Sequence, residues 1–174
     1  MNMLKNAIEV LDKQSFIDAN WTGTLPEYLE LVQKNPLVAA SAFRRMYEMI
    51  LSKGIEKYKH FKREVIHYNF FDDNIYPIYG LDEALMVFVD IIKAAAFRYG
   101  PERRVFLLHG PVGSAKSTLC ALLKRGMERY SKTQKGAVYS FSWIKVEDEG
   151  PVQCPINEEP LKLFPEESRD TILP

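Results

Sequence analysis

A glycine-punctuated run that ends in lysine and serine is the best candidate for chemistry in this sequence. Gly110, Pro111, Val112, Gly113, Ser114, Ala115, Lys116 and Ser117 follow the spacing G-x-x-x-x-G-K-[ST], with alanine at 115 where the pattern has glycine. Such a loop cradles phosphate. It feeds a helix whose first NH groups have no partner within the helix and whose dipole favours negative charge. Lys116 is expected to place its ammonium on the β and γ phosphates. The Ser117 hydroxyl takes one position on Mg²⁺, which otherwise keeps waters and phosphate oxygens. Gly110, Gly113 and Ser114 contribute backbone, and Thr118 continues the loop into the helix.

Two elements must position this loop. Ahead of it, Val105, Phe106, Leu107 and Leu108 form a short apolar run, as in a strand buried on both faces, and the run stops at Gly110. Behind it, Leu119, Leu122, Leu123, Met127 and Tyr130 recur at helical spacing. Because a helix is about to begin, Ala115 is expected in helical backbone, where its methyl costs nothing; at positive φ it would be strained.

The chain has 174 residues, 47% of them apolar, enough for one globular domain or for a small domain and part of another. Lysine plus arginine equals aspartate plus glutamate at 23 each, so no basic field exists to draw in nucleic acid or an anionic membrane. Cys120 and Cys154 fit no metal or redox spacing and read as free thiols. Residues 1–11 lack the apolar core of a signal peptide and no stretch approaches the length of a membrane span, so a cytoplasmic protein is expected.

Residues 1–70 read as a helical N-terminal region. Thr24 and Glu27 form a capping box ahead of a stripe of Leu25, Tyr28, Leu29 and Val32, ending near Asn35. Asn35 and Pro36 are expected to start a second helix, with Val38, Ala42, Met46 and Met49 on one face, Arg44, Arg45 and Glu48 off it, and Gly54 as its stop. Trp21 is expected to pack on these helices. Residues 53–63 carry lysines, Arg63, Tyr58, His60 and Phe61; with Glu56 and Glu64 among or beside them they read as a solvated helix face rather than a nucleic-acid surface. His60, His67 and His109 show no ligand spacing, although His109 sits at the mouth of the phosphate loop. Asp82 and Glu83 then open a strongly apolar helix over about 84–97, closed by Gly100 and Pro101.

Ile78-Tyr79-Gly80, a helix, a strand and a phosphate loop, in that order, resemble the opening layout of AAA-type ATPases. More narrowly, the chain resembles the PrkA serine protein kinase family along almost its whole length, through residues 21–32, 79–84, 109–118 and 154–165. Asn157 stands where that family tends to have histidine. The resemblance implies an α/β fold: an AAA-type P-loop NTPase parallel-sheet core over residues 71–174, truncated, preceded by the helical region 1–70. It implies an adenine pocket at Ile78, Tyr79 and Gly80, a phosphate site over Gly110, Pro111, Val112, Gly113, Ser114, Ala115, Lys116, Ser117 and Thr118, and ATP-dependent phosphorylation of serine or threonine in a protein substrate. ATP and Mg²⁺ are the implied cofactors, with a homo-oligomer of the full-length protein a further expectation.

The residues themselves do not reach the word kinase, since H-R-D-x-x-x-x-N, D-F-G and a V-A-I-K lysine are all missing. Residues 137–144 offer one more strand. The acidic run Glu147, Asp148 and Glu149 imitates a Walker B strand end, but Lys145 breaks its apolar run, and a solvated cluster is expected. The chain is therefore expected to stop before its Mg²⁺ carboxylate and to be inactive alone. An ATPase that remodels or degrades proteins, and a noncatalytic ATP-responsive module, remain alternatives.

Overall fold

A computed structural model describes residues 20–144, 150–165 and 167–169. The chain forms two compact units, Met1–Ala39 with Ser131–Pro174, and Ala40–Tyr130.

In the first unit, α1 (Leu25–Lys34) starts as its capping box requires. The Thr24 backbone NH and hydroxyl both donate to Glu27 Oε2, at 2.6 and 2.9 Å. The apolar stripe turns Tyr28 and Val32 inward to meet Leu161, with Trp21, Leu29, Val38, Tyr139 and Phe164 around them. Trp21 packs edge-on against Tyr139 at 5.7 Å, the packing role expected for it. The Tyr28 hydroxyl donates to Glu159 Oε1 at 2.6 Å, so this buried ring keeps its polar end satisfied. β3 (Ser142–Trp143) pairs antiparallel with β4 (Val152–Gln153). Only this short piece of the strand expected over 137–144 forms. Asn157 sits in the left-handed region (φ 48°) and its side chain accepts from Gln153 Nε2 at 2.9 Å. Asparagine tolerates that backbone, which gives residue 157 a turn-forming role.

The second helix opens later than Asn35 and Pro36 suggest. Pro36–Ala39 is a single 3₁₀ turn, and Asn35 Oδ1 accepts from the Leu37 NH, so asparagine makes a local turn instead of capping a long helix. The helix α2 (Ala42–Leu51) is capped by Ser41, whose Oγ accepts from the Arg44 NH at 3.2 Å. Met49 and Ile50 are buried, and so is Arg45, whose Nε donates to the Ala40 carbonyl. Gly54 ends the segment at φ 89°.

Residues 53–63 are solvated as expected but are not helical. β1 (Ile55–His60) and β2 (Arg63–Tyr68) form an antiparallel hairpin in the register His60 opposite Arg63 and Ile55 opposite Tyr68. Its two-residue turn is Phe61-Lys62, both at positive φ (46° and 67°). The 3₁₀ turn Asn69–Phe71 then drives Phe70 and Phe71 into the core.

Helix α3 (Asp82–Ala96) follows its predicted limits closely, and Gly100 beyond it adopts φ 109°. Helix α4 (Lys116–Ser131) buries Leu119 and Leu122 and half-buries Leu123, Met127 and Tyr130, as the spacing predicts. One core joins Met49 and Ile50 of α2, Tyr68 of β2, Phe70 and Phe71, Ile78, Leu85 and Val89 of α3, and Leu119 and Leu122 of α4. Gly126 lets α4 approach that core. A Cβ there would lie 2.6 Å from Phe70 Cζ and 2.9 Å from Met49 Sδ.

The strand expected over residues 105–108 does not form. Val105 and Leu107 are 96% and 85% exposed, and the Phe106 ring meets that of Phe43 at 6.1 Å. Among the described residues both strand pairs are antiparallel, so the anticipated parallel-sheet core is not among them. Four apolar residues make a strand only when a neighbour accepts and donates along the ladder, and no such neighbour lies among the described elements. Glu147, Asp148 and Glu149, the Walker B imitation, lie outside the described residues.

Candidate functional site

The phosphate loop occupies the turn into α4. Gly113 has φ 82° and Ala115 φ 56°, so the chain passes twice through left-handed backbone within three residues. The expectation that Ala115 is helical is therefore corrected. The helix begins one residue later, at Lys116, and residue 115 makes the turn that aims it. A methyl in this conformation costs roughly 1 kcal/mol relative to glycine. Gly110 has a different reason to lack a side chain, since a Cβ there would stand 2.9 Å from Ser114 Oγ.

Lys116 is folded over its own loop. Its Nζ donates to the Gly110 carbonyl at 2.9 Å, the Pro111 carbonyl at 2.6 Å and Ser114 Oγ at 2.8 Å, while Ser114 Oγ itself donates to Pro111 O at 2.8 Å. All three acceptors are neutral, so phosphate oxygens would offer the ammonium stronger, charge-assisted partners. Leu119 NH is the first in α4 bonded four residues back, to Ala115 O at 2.8 Å. Amides ahead of it are those that helical geometry leaves for an anion. Ser117 is exposed in the first helical turn, Thr118 is half-buried, and Pro111, Val112 and Gly113 form an exposed rim.

The segment Ile78-Tyr79-Gly80 divides its roles. Ile78 is buried in the core that also holds Leu119 and Leu122, and its NH donates to Phe71 O at 3.0 Å. Tyr79 is 76% exposed, and Gly80 turns at φ 72°. One core thus underlies both Ile78 and the helix that follows the glycine loop. His109 is exposed at the loop mouth.

Sequence spacing carries no sign of the polar ties around residues 72–82. Asp73, only 11% exposed in its side chain, meets Arg129 at 3.3 Å and Arg125 at 3.6 Å, both on α4. Burial raises the Asp73 pKa, but the hydrogen bond from Arg129, those from the Ile75 and Tyr76 amides, and the nearby Arg125 charge outweigh it and hold the carboxyl below its ordinary value. Arg125 also lies over the Tyr76 ring at 5.2 Å. His67 reaches Asp72 and Asp82, and Tyr58 donates to Asp82 at 2.8 Å.

For a metal, the described residues contain no group of three or more histidine, cysteine or carboxylate side chains able to hold an ion. Among the described residues no helix is long and apolar enough to cross a membrane.

A two-glycine loop, a lysine aimed into it and a helix springing from it define a P-loop nucleotide-binding protein. The family model of the PrkA AAA domain matches residues 23–173, and the chain belongs to that family. The chain is 37% identical over 171 residues to the "ATP-dependent protease PrkA" of Bacillus subtilis (strain 168), covering 98% of this chain and 24% of that protein. It is 41% identical over 86 residues to an "Uncharacterized protein in gldA 5'region" of Geobacillus stearothermophilus, covering 49% of this chain and 81% of that protein. The chain thus spans about a quarter of the Bacillus relative. No solved structure matches.

Proposed function

We propose that this chain is the ATP-binding part of a PrkA-type enzyme that couples ATP to work on a protein substrate. The observation that carries this is Lys116, whose ammonium lies across a two-glycine loop with only neutral acceptors to hold it. In this reading residues 71–174 belong to the AAA-type core, preceded by the helical region. Gly110, Pro111, Val112, Gly113, Ser114, Ala115, Lys116, Ser117 and Thr118 take the triphosphate, and Ser117 meets its Mg²⁺. Ile78, Tyr79 and Gly80 receive the adenine. The enzyme works in the cytoplasm, the full-length protein assembles with copies of itself, and nucleic acid and membrane are not its partners.

The activity we propose is transfer of the γ-phosphoryl group to a serine or threonine of a protein, on the resemblance to PrkA serine protein kinases. A second reading, ATP-driven degradation, is favoured by the name "ATP-dependent protease PrkA" of the Bacillus relative. The two part in one assay of the full-length protein with γ-labelled ATP and a casein substrate. Label appearing on protein supports the kinase. ATP-dependent release of casein peptides with no protein label overturns it in favour of the protease.

The base site has its own test. Tyr79→Ala is expected to weaken ATP by about 1 kcal/mol or more while leaving free tripolyphosphate unchanged, because only the base loses ring contact. Competition titration of both ligands reads this. An equal loss for the two would make Tyr79 a residue of the fold alone.

A further inference from the structure

His67 lies on β2, outside every motif that brings phosphate or base into the site, yet it faces a carboxylate at each ring nitrogen. Nε2 stands 2.8 Å from Asp72 Oδ2 and Nδ1 stands 2.7 Å from Asp82 Oδ1. These two aspartates bound the segment 73–81, which carries Ile78, Tyr79 and Gly80. One imidazole therefore closes a loop that carries the proposed base site.

We propose that His67 is a positioning residue for the nucleotide base, its imidazolium clasping Asp72 and Asp82 and so holding Ile78, Tyr79 and Gly80 in place. This deepens the nucleotide reading above and rests on it. A carboxylate at each ring nitrogen is the arrangement that suits a charged ring. Only the doubly protonated form donates from both nitrogens; a neutral ring donates from one and turns a lone pair toward the other carboxylate. Losing the proton therefore opens one side of the clasp.

The surroundings favour keeping that proton. The hydrogen bond to Asp72, then that to Asp82, raise the His67 pKa above its ordinary value, against a smaller opposing effect of burial. On β1, Glu56 stands opposite His67 in the hairpin register, and Tyr58 donates to Asp82. On α3, Glu83 lies 3.9 Å from His60. Asp73, next to Asp72, is occupied by Arg125 and Arg129 of α4, which leaves those cations turned to a different carboxylate. Since the folded pKa is raised, the stabilisation is fully present below the unfolded value of about 6.5 and is lost as pH rises through the folded one.

The test uses the 174-residue chain and two probes, ATP and tripolyphosphate, titrated between about pH 6 and pH 9. Tripolyphosphate has a second terminal group that ATP lacks, so the ratio of affinities is taken after each probe is corrected for its own phosphate titration. In the wild type the ratio should fall roughly five-fold or more as pH rises. In His67→Gln it should be low and flat, with an unchanged far-UV circular dichroism spectrum. Should that variant not fold, Asp72→Asn reads the same ratio from the more exposed end of the clasp. Wild-type binding of both probes at a pH-independent ratio would overturn this inference alone, as would a folded variant that keeps the wild-type profile. Binding of neither probe would overturn the nucleotide reading and this inference with it.

Discussion

Lys116→Ala is expected to reduce ATP affinity by about 1.5–3 kcal/mol, roughly ten- to a hundred-fold, because it removes a charge-assisted contact to phosphate. The same nitrogen also ties the loop to itself through Gly110 O, Pro111 O and Ser114 Oγ. Those ties are partly exposed and join neutral acceptors, so their loss should move the melting temperature of the nucleotide-free protein by only a few degrees. Titration with a fluorescent ATP analogue and a melt without nucleotide separate the two effects. Unchanged affinity in a folded variant would mean that the loop does not hold the phosphates. A collapse of the melt would mean that the lysine is chiefly a brace.

The largest effect on stability is expected at Phe71. It is fully buried, and its ring meets Phe70 edge-on at 5.2 Å and Tyr68 at 6.3 Å. It belongs to the core shared by α2, β2, α3 and α4, and its carbonyl accepts from Ile78. Phe71→Ala leaves a cavity where four elements converge, at a cost of about 3–5 kcal/mol. A domain of this kind holds only about 5–15 kcal/mol in total, so a large part of the unit's stability goes. Urea unfolding followed by far-UV circular dichroism measures it. A loss under about 1 kcal/mol would show that the site collapses around the smaller side chain.

What the sequence discloses here is local chemistry, and what it conceals depends on neighbours. The phosphate loop with α4, the capping box of α1 and the acidic start of α3 are each written within a few residues, and each appears where the pattern places it. The hairpin is hidden because every residue of β1 is exposed, so no apolar alternation marks it. Its turn, moreover, uses Phe61 and Lys62 where asparagine or glycine would have signalled it. Residues 105–108 have the composition of a buried strand, but composition does not supply the partner a strand needs. Ala115 lies a single position outside the helix expected to hold it: the helix starts after it, and the turn falls on it. The ties of Asp73 to Arg129 and of His67 to Asp82 span 56 and 15 residues, distances over which no periodic pattern carries information.

Gly126 lies ten positions beyond Lys116 along α4, about 15 Å down the helix at 1.5 Å per residue. The Phe70 ring seats itself in the notch that this missing side chain leaves. A ring in a notch acts as a detent, fixing both how far the helix slides along its axis and how it is turned about it. A slip of one residue would carry the far end about 1.5 Å and rotate it by about 100°, swinging the lysine away from the loop it now closes. The aim of an ammonium at one end of the helix is thereby set by an absence of atoms near the other.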